Sequence, residues 1–307
     1  MNLSYLIEQL KKIFPTERIK IDEPMKNHTS FKIGGPADVL VLPEEVEEVK
    51  KTIELCNYYQ IPLLVMGNGT NLLVRDEGIR GVVIKLSSNF NDIHVNGNIM
   101  TCRAGVALST AARVALEHSL SGLEFANGIP GSIGGAAVMN AGAYGGEMSD
   151  VVKTVTVLDL KGKIHKLVKE ELDYSYRYCS LQKGDRVLLE VEMELKPGNY
   201  DEIKNKMEDY LNRRKGKQPL NLPSAGSAFK RPEGNYAGYL IEKAGLKGYR
   251  IGGAMVSDLH AGFIVNVDNA SFKDVYTLIK HIQNEVKQKF GIELETEIKI
   301  VGDSEED

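Results

Sequence analysis

With 307 residues, 42% of them hydrophobic and 26% charged, the chain has a globular composition and is long enough for two domains. Its formal net charge of −4 gives no electrostatic case for nucleic acid or an anionic membrane surface, and no apolar run approaches the ~20 residues of a membrane span. Cys56, Cys102 and Cys179 are an odd set without CxxC spacing, which argues against a disulfide scaffold and against zinc, so no metal site is expected.

The amino-terminal MNLSYLIEQLKKIF carries Leu3, Leu6, Ile7 and Leu10 at helical spacing. It lacks the basic and continuous apolar regions of a signal peptide, so a cytoplasmic setting is expected. Strands and helices then alternate. Residues 38–43 read as a strand, 43–60 as a helix with Pro43 in its first position, 61–67 and 81–86 as short apolar strands, 98–105 as an alternating strand and 108–120 as an amphipathic helix. Residues 153–168 predict a hairpin turning at Lys161-Gly162, and 186–195 another alternating strand. Pro197-Gly198-Asn199 breaks the chain before a charged helix over 200–214. Beyond it come a helix (236–245), strands (250–256 and 262–267), a helix (272–289), a strand (293–301) and an acidic tail read as disordered. This pattern predicts an α+β protein, with one domain over 1–200 and a smaller one over 201–307.

Two glycine-rich segments stand out. MGNGTNLLV (66–74) follows a strand, so Gly67, Asn68, Gly69, Thr70 and Asn71 form a turn that can hold a pyrophosphate on backbone N–H groups; an ordinary hairpin turn is the other reading. Neither a Rossmann glycine pattern nor a P-loop is present: Leu72 stands where the third Rossmann glycine would be. Residues 122–146 hold eight glycines in 25 positions, yet the stretch is too apolar for a linker. It suits backbone laid against a phosphate-bearing cofactor, or a glycine-rich helix–turn packed in a core.

With SFKIGGPAD (30–38), these segments resemble the FAD-binding domain of the vanillyl-alcohol-oxidase/PCMH flavoproteins. That resemblance implies two α+β subdomains dividing near 85–90, with FAD held non-covalently between them. The implied contacts are the Gly67–Asn71 turn and, in the second segment, Gly128, Ile129, Pro130, Gly131, Ser132, Gly134, Gly135, Ala141 and Gly142. The further motifs NHTSFKIGGPAD, YSYRYCS, PSAGSAFKRP and LETEIKIVG, in that order, are similar to the UDP-N-acetylenolpyruvoylglucosamine reductase family, whose members serve peptidoglycan synthesis.

What the second resemblance implies can be stated residue by residue. NADPH is the hydride donor and a UDP-sugar enol ether the substrate; no nucleic acid, membrane or obligate protein partner follows. Arg177 matches the arginine facing the substrate carboxylate, Ser227 the proton donor and Glu297 the catalytic glutamate. Tyr176, Lys217 and His260 fall at substrate-binding positions. The run Arg213, Arg214, Lys215 and Lys217 can serve a pyrophosphate or form a solvated helix end. On local sequence alone Arg177 fits a surface ion pair, Ser227 a turn serine, and Glu293, Glu295 and Glu297 one solvated strand face. No insertion lies between 178 and 186, as it does in longer members, so the resemblance is to the family's shorter branch. Two other functions compete: an oxidase or dehydrogenase on the same flavin fold, and a non-catalytic nucleotide-binding module.

Overall fold

The computed structural model describes residues 2–303, so residues 304–307 of the acidic tail 303–307 lie outside the described residues, while Asp303 accepts the Arg80 N–H at 2.7 Å. The chain forms two compact units. The first runs up to Ile21 and takes in Val39–Asn68 and Gly81–Arg214; the second takes in Asp22–Asp38, Gly69–Arg80 and the chain from Lys215. This differs from a single division at residue 200. The physical reason is burial: Phe31, Ile33 and Leu73 belong to the second unit's apolar core, beside Leu294 and Ile298. Leu72–Val74 also pairs in parallel with Lys299–Val301.

Leu63–Met66 lies parallel to residues 82–85 in the first unit, within a four-stranded sheet whose other strands, Pro36–Val41 and Ile19–Pro24, begin or end in the second unit's stretch of chain. Helices α1 (Asn2–Leu10) and α2 (Val46–Tyr59) bury Leu6, Leu10, Val49, Ile53 and Cys56 in the first unit's core. Helix α2 starts at Val46, three residues later than Pro43 suggests. The Glu48 carboxylate accepts the N–H groups of Glu44 and Glu45 at 2.7 and 3.2 Å, which holds those residues outside the helix.

The second sheet of this unit is antiparallel, in the order Ile164–Val168, Val152–Asp159, Arg186–Glu194, Ile99–Arg103, Ile93–Asn96. Its first hairpin turns where expected: Asp159 Oδ1 accepts from the N–H groups of Lys161 and Lys163, both at 2.9 Å, and Gly162 takes φ +82°. Helices α3 (Leu108–Glu117) and α4 (Ile133–Val138) pack together, and α4 lies on the two central strands. The charged helix α5 (Tyr200–Lys215) buries Ile203, Met207 and Arg214.

The second unit is built on an antiparallel sheet in the order Ser224–Ser227, Phe263–Asn266, Ala254–Val256, Arg250–Ile251. The single strand expected over 250–256 is a hairpin instead. Gly252 takes φ +53°, and a Cβ on Gly253 would run into the Asp268 carbonyl. Helix α6 (Ala237–Lys243) packs on α7 (Phe272–Phe290), whose buried stripe is Phe272, Val275, Leu278, Ile279, Ile282 and Val286. Ser271 and Asp274 cap α7 reciprocally at 3.1 Å, and Gly291 closes it at φ +70°. Of the strand expected over 293–301 only Lys299–Val301 forms; before it the chain makes a single bridge, Thr296 to Phe229. No described helix is long and apolar enough to cross a membrane.

Candidate active site

Two glycine-rich segments meet inside the first unit. Gly67 follows the strand Leu63–Met66, and a Cβ there would collide with the Ser132 hydroxyl. Ser132 is buried, and its Oγ accepts the Gly135 N–H at 3.3 Å to cap α4. The residues around it are clamped onto neighbouring backbone: Leu108 N–H to Gly131, Ile133 N–H to Val106 and Gly134 N–H to Ala104, at 2.8–3.0 Å. A Cβ on Gly134 would lie 2.7 Å from Ala104 Cβ, so this glycine serves close packing. Gly128 (φ +84°) and Gly131 (φ +142°) make the bends before the helix.

Beside Gly128 sits Arg214, only 7% exposed. Its guanidinium lies 6.0 Å from the centre of the Tyr144 ring, which stacks on Tyr210 at 4.6 Å. Burial lowers the pKa of this guanidinium from its ordinary value. Arg214 is thus a buried cation at a glycine bend, not part of a solvated helix end. Bends at Gly128 and Gly131, a capped helix start and this cation suit a dinucleotide pyrophosphate. Of the other expected cofactor contacts, Ile129, Ala141 and Gly142 are half-buried, and Pro130 and Gly135 are exposed.

Arg177 occupies a tight turn of the same unit. Ser175 and Tyr178 exchange both backbone hydrogen bonds at 3.1 Å, and Arg177 takes φ +56°, a conformation costly for a side-chain-bearing residue. Its Nη1 donates to the Asn140 carbonyl at 3.4 Å and its Nη2 to the Gly142 carbonyl at 3.0 Å. The arginine is therefore tied to the end of the second glycine-rich segment. Tyr176, half-exposed, lies with its ring 5.2 Å from that guanidinium.

In the second unit, Ser227 ends the strand Ser224–Ser227 and pairs with Phe263. The next residue, Ala228, accepts the Glu297 N–H at 2.9 Å and donates to Gly262 at 2.8 Å. Ser227 and Glu297 therefore stand on adjacent chain segments, one residue out of register. The three glutamates do not share one solvated face: Glu293 and Glu295 are exposed and pair with Lys287 and Lys230 at 2.5 Å, whereas Glu297 is half-buried.

Near the same chain, His260 Nδ1 accepts the Gly262 N–H at 3.0 Å, which places the ring proton on Nε2. Burial pushes this imidazole below its ordinary pKa, so it is neutral at pH 7. Lys217 is exposed on the chain following α5.

Within the turn 67–71, Gly69 takes φ +64° and its carbonyl accepts the Ser30 N–H at 3.2 Å. Asn71 donates from Nδ2 to the Glu297 carbonyl at 3.1 Å, and its own carbonyl accepts the Lys299 N–H at 2.9 Å. Its side chain thus holds the segment that carries Glu297, a use that the glycine-rich pattern around it does not signal.

Comparison with known proteins bears on the fold and the family. Residues 37–168 match the FAD binding domain model, and residues 218–301 match the UDP-N-acetylenolpyruvoylglucosamine reductase C-terminal domain model. The chain is 56% identical over 298 residues to the UDP-N-acetylenolpyruvoylglucosamine reductase of Caldanaerobacter subterraneus subsp. tengcongensis, covering 97% of this chain and 98% of that one. It is 49% identical over 303 residues to the Clostridioides difficile protein of the same name, covering 99% and 100%. Among solved structures, that of UDP-N-acetylenolpyruvylglucosamine reductase (MurB) from Thermus caldophilus superposes with a TM-score of 0.79 at 38% identity, over 92% of this chain and 97% of that chain.

Proposed function

From the premise that the chain belongs to the UDP-N-acetylenolpyruvoylglucosamine reductase family, we propose a residue-level account of its reaction. The protein is an NADPH-dependent FAD enzyme that reduces UDP-N-acetylglucosamine enolpyruvate to UDP-N-acetylmuramate, a step of peptidoglycan precursor synthesis. Family membership over nearly the full length displaces both the oxidase reading and the non-catalytic reading. Bound FAD would supply the hydride chemistry between NADPH and the terminal vinyl carbon of the substrate.

Everything else falls to the chain's own residues. The turn 67–71 and the stretch 128–135, with Arg214, would hold the cofactor's pyrophosphate. Hydride addition leaves an electron pair on the carbon bearing the carboxylate, delocalised as an enolate. Arg177 stabilises that charge. Its backbone-carbonyl partners orient the guanidinium without neutralising it. Ser227 gives its hydroxyl proton to the same carbon, so the vinyl group becomes a lactyl ether. Glu297 polarises that centre from the adjacent chain. Tyr176, Lys217 and His260, a neutral Nε2–H donor, contact the substrate. Arg177 belongs to the first unit, and Ser227 and Glu297 to the second. A cytoplasmic setting is part of the same proposal.

The observation that supports this account is the Glu297 N–H to Ala228 carbonyl bond, which brings the backbone of the glutamate next to the residue that follows Ser227. Ser227→Ala tests it. The variant should retain FAD and still be bleached near ~450 nm by NADPH, yet fail to recover colour on adding the enolpyruvyl substrate. Recovery at the wild-type rate would remove Ser227 from the role of proton donor.

A further inference from the structure

Arg177 is held in a conformation it would not adopt alone. At φ +56° an arginine is strained, and a two-residue turn does not fix the direction of its long side chain. The turn's own hydrogen bonds use the backbone groups of Ser175 and Tyr178. The Arg177 carbonyl takes no part in them.

That carbonyl is met by Gln182, whose Nε2 donates to Arg177 O at 3.0 Å and to Val138 O, also at 3.0 Å. Val138 is the last residue of α4, the helix that Ser132 caps. One carboxamide thus ties the arginine's own peptide to the helix of the glycine-rich segment. Asn140 supplies the opposite anchor. Fully buried, it donates from Nδ2 to the Ser175 carbonyl at 3.0 Å, at the turn's start, while its backbone carbonyl receives the Arg177 guanidinium. The turn is gripped at its first residue by one amide and at Arg177 by another.

We propose that Gln182 is a positioning residue for Arg177: it locks the left-handed peptide of the arginine onto the end of α4 and so aims the guanidinium at the substrate carboxylate. This rests on the reading of Arg177 as the enolate-stabilising cation. Gln182 suits the task because an amide nitrogen carries two donors and both face carbonyl oxygens. A glutamate there would present lone pairs to the same two oxygens.

The experiment compares Gln182→Met, Gln182→Glu, Arg177→Ala and the Arg177→Ala/Gln182→Met double variant as holoenzymes. Anaerobic stopped-flow separates flavin reduction by NADPH from reoxidation by the enolpyruvyl substrate. For Gln182→Met the expected result is reoxidation slowed about tenfold with flavin reduction within about twofold of wild type. Gln182→Glu should be slower than Gln182→Met at pH 8. The double variant should reoxidise no more slowly than Arg177→Ala alone, since Gln182 acts only through the arginine. Wild-type reoxidation in Gln182→Met, an equal fall in both half-reactions, or additive losses in the double variant would each overturn the proposal. Wild-type reoxidation in Arg177→Ala would instead overturn the reading of the arginine itself.

Discussion

The Ser132 hydroxyl fills the space that a Cβ on Gly67 would need, and the same oxygen caps α4 through the Gly135 N–H. Gly67 is not at a positive φ, so its neighbour and not its backbone forbids a side chain. The two glycine-rich segments are thereby locked to each other before any cofactor is considered.

Gly67→Ala should therefore push Ser132 off its cap. The cost is about 1 kcal/mol for the lost cap, plus the displaced pyrophosphate turn. The removable oxygen makes the prediction sharp. Ser132 Cβ lies 3.4 Å from the point where a Cβ on Gly67 would stand, an ordinary contact, so Ser132→Ala should relieve the clash. Gly67→Ala/Ser132→Ala should then match Ser132→Ala alone in thermal midpoint and in flavin retained through gel filtration. Additive losses would mean that Gly67 is needed for another reason.

Much of the architecture was legible where periodicity is strong. The stripe along α7, the hairpin at Lys161-Gly162 and the strand ending at Glu194 follow from spacing and turn chemistry within a few residues. Contacts distant in sequence were not legible. Leu73 and Phe31 look like ordinary apolar residues of a first domain until their burial in the second unit's core is seen. Glu293, Glu295 and Glu297 look alike because alternation describes only an extended strand, and the chain is irregular there. The glycine-rich segment was ambiguous in a physical way. It forms the close-packed helix α4, with Gly134 against Ala104, and also the bends at Gly128 and Gly131. Gln182 carried no local signal: only the fold puts two carbonyls in front of it.

Asn71 separates a cofactor role from a structural one. Its side-chain bond to the Glu297 carbonyl is worth about 1 kcal/mol. Asn71→Ala should leave flavin content unchanged and slow reoxidation by the enolpyruvyl substrate several-fold, because the segment that carries Glu297 loses an anchor. Loss of flavin on gel filtration, with normal reoxidation of what remains, would return Asn71 to the cofactor's pyrophosphate.

Glu124 tests how α5 is fastened to the first unit. The carboxylate is 4% exposed and accepts from Ser121 Oγ at 2.7 Å and Gly122 N–H at 2.8 Å, with Lys206 of α5 at 3.6 Å. Burial works to raise its pKa, but these hydrogen bonds and the lysine outweigh it, so the net shift is downward. The stabilisation is thus present above the ordinary glutamate range and is lost as pH falls below it. Glu124→Gln should cost about 1–2 kcal/mol at pH 7 in urea unfolding. The gap to wild type should hold from pH 7 down to the ordinary glutamate value of about 4.3 and narrow as the pH falls below it; a gap independent of pH would mean that the charge contributes nothing.

His260 gives a pH dependence in a separate window. Burial lowers its pKa in the folded protein, so the unfolded chain binds the proton more readily. The folded state loses nothing above the ordinary histidine value of about 6.5, and becomes progressively less stable as pH falls through that value towards the lowered one. Protonation would also deprive Nδ1 of the lone pair that accepts the Gly262 N–H, beside the segment bonded to Ala228. The thermal midpoint of wild type should therefore fall between pH 7 and pH 5 more steeply than that of His260→Gln. Comparing the two proteins cancels what their shared groups contribute. Parallel midpoint curves for the two would show that the buried imidazole accepts its proton as easily folded as unfolded, and would dissociate His260 from any acid sensitivity of the Ser227 strand.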